Sequence, residues 1–122
     1  MTARFATMYS LAGRVALVTG ASRGIGAAIA RVLAQMGAAV AVNHLDDAKA
    51  AEALVAELGA AGGKARAYDV DVARRDVATA LVAAAERDLG PIDVLVVCAA
   101  RSIHAKLEDV RDDDLEAQLD AN

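Results

Sequence analysis

The chain has 122 residues and a formal net charge of −4, with 57% hydrophobic but only 2% aromatic residues. That length suits one domain with an aliphatic core of Val, Leu, Ile and much Ala, and the acidic balance argues against a nucleic-acid partner. No apolar run approaches the ~18 residues of a membrane span, and a single cysteine with two distant histidines, His44 and His104, leaves no internal disulfide and argues against a metal site.

In chain order, residues 1–12 read as a loose leader with no apolar signal segment. "RVALVT" (14–19) is a continuous apolar run of the kind buried on both faces of a parallel sheet. From Gly24, the residues Ile25, Ile29, Val32, Leu33 and Met36 fall at helical spacing, and Gly37 follows as a C-cap. "AAVAVNH" (38–44) predicts a second strand. Asp46 or Asp47 then caps a helix with an inner stripe of Ala51, Leu54, Val55 and Leu58, closed by Gly59 and the Gly62–Gly63 turn. A third strand, "KARAYDV" (64–70), leads to a helix bearing Val77, Leu81, Ala84, Ala85 and Leu89. Gly90-Pro91 ends it and opens "IDVLVVCAA" (92–100), the most apolar strand. "RDDDLEAQLDAN" (111–122) reads as a final helix with Asp112, Asp113 and Asp114 complementing its positive end and Leu115 and Leu119 inward. Strand and helix alternate four times with short connections and no linker. That pattern predicts one α/β unit with a parallel sheet and right-handed crossovers.

Ligands of such sheets bind beyond the carboxyl ends of the strands, where the first strand turns into the first helix. Gly20, Gly24 and Gly26 crowd that turn. Glycine lets the backbone turn tightly and lets a phosphate approach the unpaired N–H groups of a helix start without meeting a Cβ. The spacing is G-x-x-x-G-x-G, and Ile25-Gly26 stand where a P-loop needs Gly-Lys. A tight turn without a ligand is the plain alternative, and another Rossmann-type ligand such as S-adenosylmethionine a further one. The strand before and helix after the turn favour a dinucleotide.

"TGASRGIG" (19–26) resembles the cofactor fingerprint of the short-chain dehydrogenase/reductase family, in particular its 3-oxoacyl-acyl-carrier-protein reductase-like members. The resemblance runs from about residue 11 to Asn122. It implies a Rossmann-type sheet of four strands in the order 3-2-1-4 with helices on both faces. Residues 13–122 would then be the N-terminal half of an NAD(P)-binding domain. It further implies cofactor contacts from Gly20, Ser22, Arg23, Gly24, Ile25 and Gly26, from Asn43 and His44, and from Cys98, Ala99 and Ala100. "YDVDV" (68–72) matches the family's acidic strand end, placing Asp71 and Val72 at the adenine. Asn122 falls on the helix asparagine that in the family holds a water of the proton relay. Where the family carries I-D-V-L-V-N-N-A-G, this chain has Val97, Cys98 and Ala100 in place of two asparagines and the glycine. By resemblance, Val97 removes an amide tether between strands and Ala100 adds a Cβ near the cofactor ribose. Cys98 reads as a small buried apolar residue.

An NAD site puts a carboxylate at the end of the second strand, but Asn43-His44-Leu45 stand there, with no acid before Asp46. Arg23 in the glycine turn offers a partner for a 2′-phosphate. NADP(H) is therefore expected over NAD(H), with Asp46 the residue that would reverse the choice. His104 reads as a surface residue on a loop over the cleft. The family's catalytic serine, tyrosine and lysine have no counterpart: Tyr9 and Tyr68 are followed four residues later by Gly13 and Val72. Two functions follow as expectations. One is the cofactor-binding half of an oxidoreductase moving hydride between nicotinamide and a small carbonyl or alcohol, its catalytic residues lying beyond Asn122. The other is a non-catalytic nucleotide-binding or interaction module, or an inactive truncated product. A cytoplasmic location and self-association along the open edge of the fourth strand complete the reading.

Overall fold

The structure, a computed structural model, describes residues 8–122; the first seven residues of the expected leader lie outside the described residues. Four parallel strands, β1 (Val15–Thr19), β2 (Ala39–His44), β3 (Ala65–Asp69) and β4 (Val94–Val97), stand in the order β3-β2-β1-β4. Helices α1 (Gly24–Gln35), α2 (Ala48–Ala60), α3 (Arg75–Leu89) and α4 (Asp112–Ala121) alternate with them. This is the α/β architecture that the alternation predicts, in the family's strand order.

Both faces of β1 and β2 are covered, which is why their sequences are continuous apolar runs instead of alternating ones. On one face Val18, Val40 and Val42 meet Ala27 and Ala30 of α1 and Ala51, Leu54 and Leu58 of α2. On the other, Leu17 and Ala41 meet Leu81 and Ala85 of α3. At the amino end of the sheet, Asp93 accepts from the Val15 N–H at 3.0 Å and from the Arg14 guanidinium at 2.8 Å. Those bonds, the Val15 N–H first, hold its carboxyl below the usual carboxylate range. Beside β3, the Tyr68 hydroxyl donates to Asp88 at 3.0 Å. Burial, and then that carboxylate, push the Tyr68 hydroxyl up to about 12.

Several elements depart from the sequence expectation. Helix α1 meets the sheet through Gly26, Ala27 and Ala30, with Leu33 and Ala34 beside them, while Ile25 is 77% exposed. Small side chains let the helix axis approach the strands, so the branched stripe through Ile25 and Val32 is turned outward. β4 is four residues long, not nine, and covered on one face only: Val96 packs against the core, whereas Leu95 and Val97 are bare. Leu115 and Leu119 of α4 are exposed, not inward. Gly59 lies inside α2, while the expected turn at Gly62–Gly63 follows the helix, with φ +85° at Gly62. Asp47 is the N-cap residue of α2, yet its side chain makes no cap bond. The end of the expected leader is held: the Leu11 N–H donates to the Met36 carbonyl at 2.7 Å. Among the described residues no helix is long and apolar enough to cross a membrane.

Candidate functional site

The carboxyl ends of β1, β2 and β4 open on a cleft of about 870 Å³. Its wall includes Gly20, Ser22 and Arg23 from the β1–α1 turn, Asn43 to Asp47 from the last residues of β2 onward, Val70 to Arg74 after β3, and Cys98 to Arg101 after β4. Ala117, Asp120 and Ala121 of α4 close one side. The structure thus brings together ten expected residues: Gly20, Ser22, Arg23, Asn43, His44, Asp71, Val72, Cys98, Ala99 and Ala100. Gly24, Ile25, Gly26, Asn122 and His104 are not part of that wall.

The turn explains its glycines individually. Gly20 has φ +59°, and a Cβ there would stand 2.8 Å from the Ala99 Cα, so β1 and the segment after β4 close on bare backbone. Gly24 also has a left-handed φ, +58°, but a Cβ there would meet no atom within 4 Å. Nothing in the protein fills the space beside Gly24. Gly24 is the first residue of α1, which begins with no side-chain cap and no acidic residue in its first turn. The N–H groups of that turn have no intrahelical acceptors and carry the positive end of the helix dipole.

Arg23 is the cation nearest this helix start. Its Nε and Nη2 donate to Asp47 Oδ2 and Oδ1 at 2.8 and 2.7 Å, side-on. The Arg23 bond, and then one from the Ser22 side chain, hold the Asp47 carboxyl below its ordinary range. Asp46, the alternative acid, also lines the cleft at φ +51°, with its N–H donating to Asp69 at 3.1 Å.

The sequence profile of the short chain dehydrogenases matches residues 14–122. The chain belongs to the short-chain dehydrogenase family. An uncharacterised oxidoreductase of Methylorubrum extorquens is 45% identical over 115 residues, which are 94% of this chain and 46% of that one. A dehydrogenase/reductase structure from Sinorhizobium meliloti superposes with a TM-score of 0.91 at 38% identity, covering 98% of this chain and 48% of the other. A 3-oxoacyl (acyl-carrier-protein) reductase from Agrobacterium tumefaciens, solved with NADP bound, superposes at 0.85 with 39% identity over 98% of this chain and 45% of its own. The chain spans about half the length of these relatives.

Within this short-chain dehydrogenase fold, Asn43 and His44 are held in the protein interior. Asn43 is 2% exposed; its Oδ1 accepts from the Gly20 N–H at 3.2 Å, and its Nδ2 donates to the Val70 carbonyl at 2.9 Å. It ties the glycine turn to the far strand. His44 Nδ1 accepts from the Asp47 N–H at 3.2 Å. Asn122 uses both ends of its amide on Arg101: Oδ1 accepts from the Arg101 N–H and Nδ2 donates to the Arg101 carbonyl, each at 2.9 Å. One helical turn earlier, Gln118 accepts from the Ile103 N–H at 3.3 Å. These two side chains orient α4, which is why Ala117 and Ala121 face the cleft while Leu115 and Leu119 face out.

Two functional residues escaped the sequence reading. Thr19 Oγ1 accepts from the Cys98 and Ala99 N–H groups, each at 3.1 Å. A tether between β1 and the segment after β4 therefore exists despite Val97. Asp47 as the partner of Arg23 is the other. The bonds span 79 and 24 residues, and neither leaves a local sequence signal. Among the described residues no three His, Cys, Asp or Glu side chains converge on a metal position.

Proposed function

We propose that this chain binds NADP(H) in the cleft, as the cofactor-binding portion of a short-chain dehydrogenase that reduces a small carbonyl or oxidises the matching alcohol. The observation that carries the reading is the uncapped start of α1 beside Gly24. Its free N–H donors, and the open space where a Cβ would stand, fit a pyrophosphate. When bound, the nicotinamide supplies or accepts the hydride. The residues of this chain bind and orient the cofactor. The first turn of α1 holds the pyrophosphate, Asp71 and Val72 flank the adenine, and Ala99 and Ala100 border the ribose. Asn43 and His44 act within the wall as positioning residues, because their side chains are engaged in the protein interior. Arg23 is the 2′-phosphate partner that supports NADP(H) over NAD(H).

Gly24→Ala tests the pyrophosphate assignment. The new methyl meets no protein atom, so the fold should lose only the left-handed strain, about 1–2 kcal/mol. Titration calorimetry should nevertheless show nucleotide affinity reduced by at least about tenfold, since the methyl projects where a phosphate would stand. Binding as tight as in the parent overturns the assignment. Arg23→Ala should weaken NADPH by about 1–3 kcal/mol and NADH little. Equal losses for both cofactors overturn the NADP(H) preference and shift attention to Asp46.

A second reading is a non-catalytic nucleotide-binding module, which NADPH-dependent turnover of a carbonyl by the protein would overturn. Among the described residues β4 is an edge strand with Leu95 and Val97 bare beside it, so its free edge can pair with a further strand under either reading. A four-residue edge is a weaker template than the nine residues expected from sequence.

A further inference from the structure

Arg23 and Asp47 line the same cleft, and their bond occupies donors that a phosphate would need. The guanidinium meets the carboxylate through Nε and Nη2, the geometry that also suits a bidentate phosphate. Asp47 is also not bonded where its position in the chain would place it. An aspartate at a helix N-cap ordinarily accepts from the N–H of the second or third helical residue, here Lys49 or Ala50. Asp47 makes no such bond. Its carboxylate thus has two alternative partners, the Arg23 fork and the first turn of its own helix.

We propose that Asp47 is a resident competitor for Arg23, and that it sets how strongly the cleft distinguishes a 2′-phosphorylated adenosine from an unphosphorylated one. The proposal rests on the nucleotide reading above. Arg23 is 76% exposed, so its ion pair is weak and open to exchange. A dianionic 2′-phosphate replaces the carboxylate on the guanidinium and repels it. The released Asp47 swings onto the uncapped start of α2, so part of what is lost at Arg23 is regained there. A ligand without the 2′-phosphate leaves the Arg23–Asp47 bridge closed and meets no competition. Among the described residues the other arginines of the wall differ: Arg74 pairs with Asp76 at 3.1 Å, two residues along its own helix start, and Arg101 makes no ion pair.

The test is titration calorimetry of 2′,5′-ADP and 5′-AMP with the protein and with Asp47→Asn, Arg23→Ala and the double variant. Asparagine keeps the capping ability of aspartate but carries no charge to compete with the phosphate. Asp47→Asn should tighten 2′,5′-ADP about three- to fivefold while moving 5′-AMP less than about 1.5-fold. In the Arg23→Ala background the same substitution should move both affinities less than about 1.5-fold, because the residue competed for has gone and only screened repulsion between exposed charges remains. An Asp47→Asn protein with an unchanged or lower preference for 2′,5′-ADP overturns the competition and leaves the nucleotide site standing. Failure of both nucleotides to bind parent and variants alike overturns the nucleotide reading and this inference with it.

Discussion

Gly26→Ala is expected to cost about 3 kcal/mol or more of folding stability, because its Cβ would meet the closest contact of any glycine in the chain. The added Cβ would stand 2.3 Å from the Gly20 carbonyl oxygen and 3.0 Å from the Ala21 Cα. Both neighbours are backbone, so no side chain can rotate aside. Relief requires lifting the start of α1 off the turn, which also opens the contact of Ala27 and Ala30 with the sheet. Because α1 presents its N–H donors at that turn, the fraction that still folds should bind nucleotide poorly. Gly59→Ala provides the opposite sign. Gly59 is helical and exposed, and a Cβ there would meet nothing beyond its own helix backbone within 4 Å, so alanine should add about 0.5–1 kcal/mol through helix propensity. Urea denaturation of the parent and both variants measures the pair. A Gly26→Ala protein within about 1 kcal/mol of the parent would show that the turn yields where the geometry says it is rigid.

Asn43→Leu should lower stability by about 2–4 kcal/mol, although it keeps the side-chain volume and adds apolar surface. The loss comes from two part-buried backbone groups left without partners, the Gly20 N–H at 3.2 Å and the Val70 carbonyl at 2.9 Å. Asn43→Asp separates hydrogen bonding from packing. Its Oδ1 still accepts from Gly20, but an ionised second oxygen would face the Val70 carbonyl where the amide donated. The buried ionised form is disfavoured, so the folded-state pKa of the introduced carboxyl is raised above its unfolded value. Stability should then be greatest below the unfolded value near 3.9, where the protonated carboxyl donates to Val70, and fall as pH rises through the folded value. Urea unfolding of Asn43→Asp and the parent at about pH 5 and pH 8 reads the difference. A variant whose deficit against the parent is the same at both pH values, or an Asn43→Leu protein as stable as the parent, would remove Asn43 from its role as the strut behind the turn.

The cleft wall was legible from sequence as a set of residues but not as a set of roles. Arg23, Asn43, His44 and Cys98 all reach it, as the strand–turn–helix pattern and the family resemblance imply. Resemblance alone gives Asn43 to the cofactor, whereas the structure gives its amide to Gly20 and Val70. Asn122 likewise spends its amide on the backbone of Arg101. Residue type and position mark a place in the fold. The direction of a side chain follows from which strand ends lie next to one another.

By itself, the sequence determined the alternation of four strands and four helices, the double burial of β1 and β2 in their continuous apolar runs, and the glycine turn between β1 and α1. These are short-range properties, set by side-chain periodicity and by what a backbone can do without a Cβ. Only the tertiary structure decided which of two apolar stripes on α1 meets the sheet, that β4 stops after four residues, that Thr19 joins strands 79 residues apart, and that Arg23 bonds to Asp47. Each of these depends on the strand order β3-β2-β1-β4, which brings distant segments to one end of the sheet. Helical periodicity marks both stripes of α1 as apolar, and the alanine stripe faces the sheet because small side chains allow the closer approach.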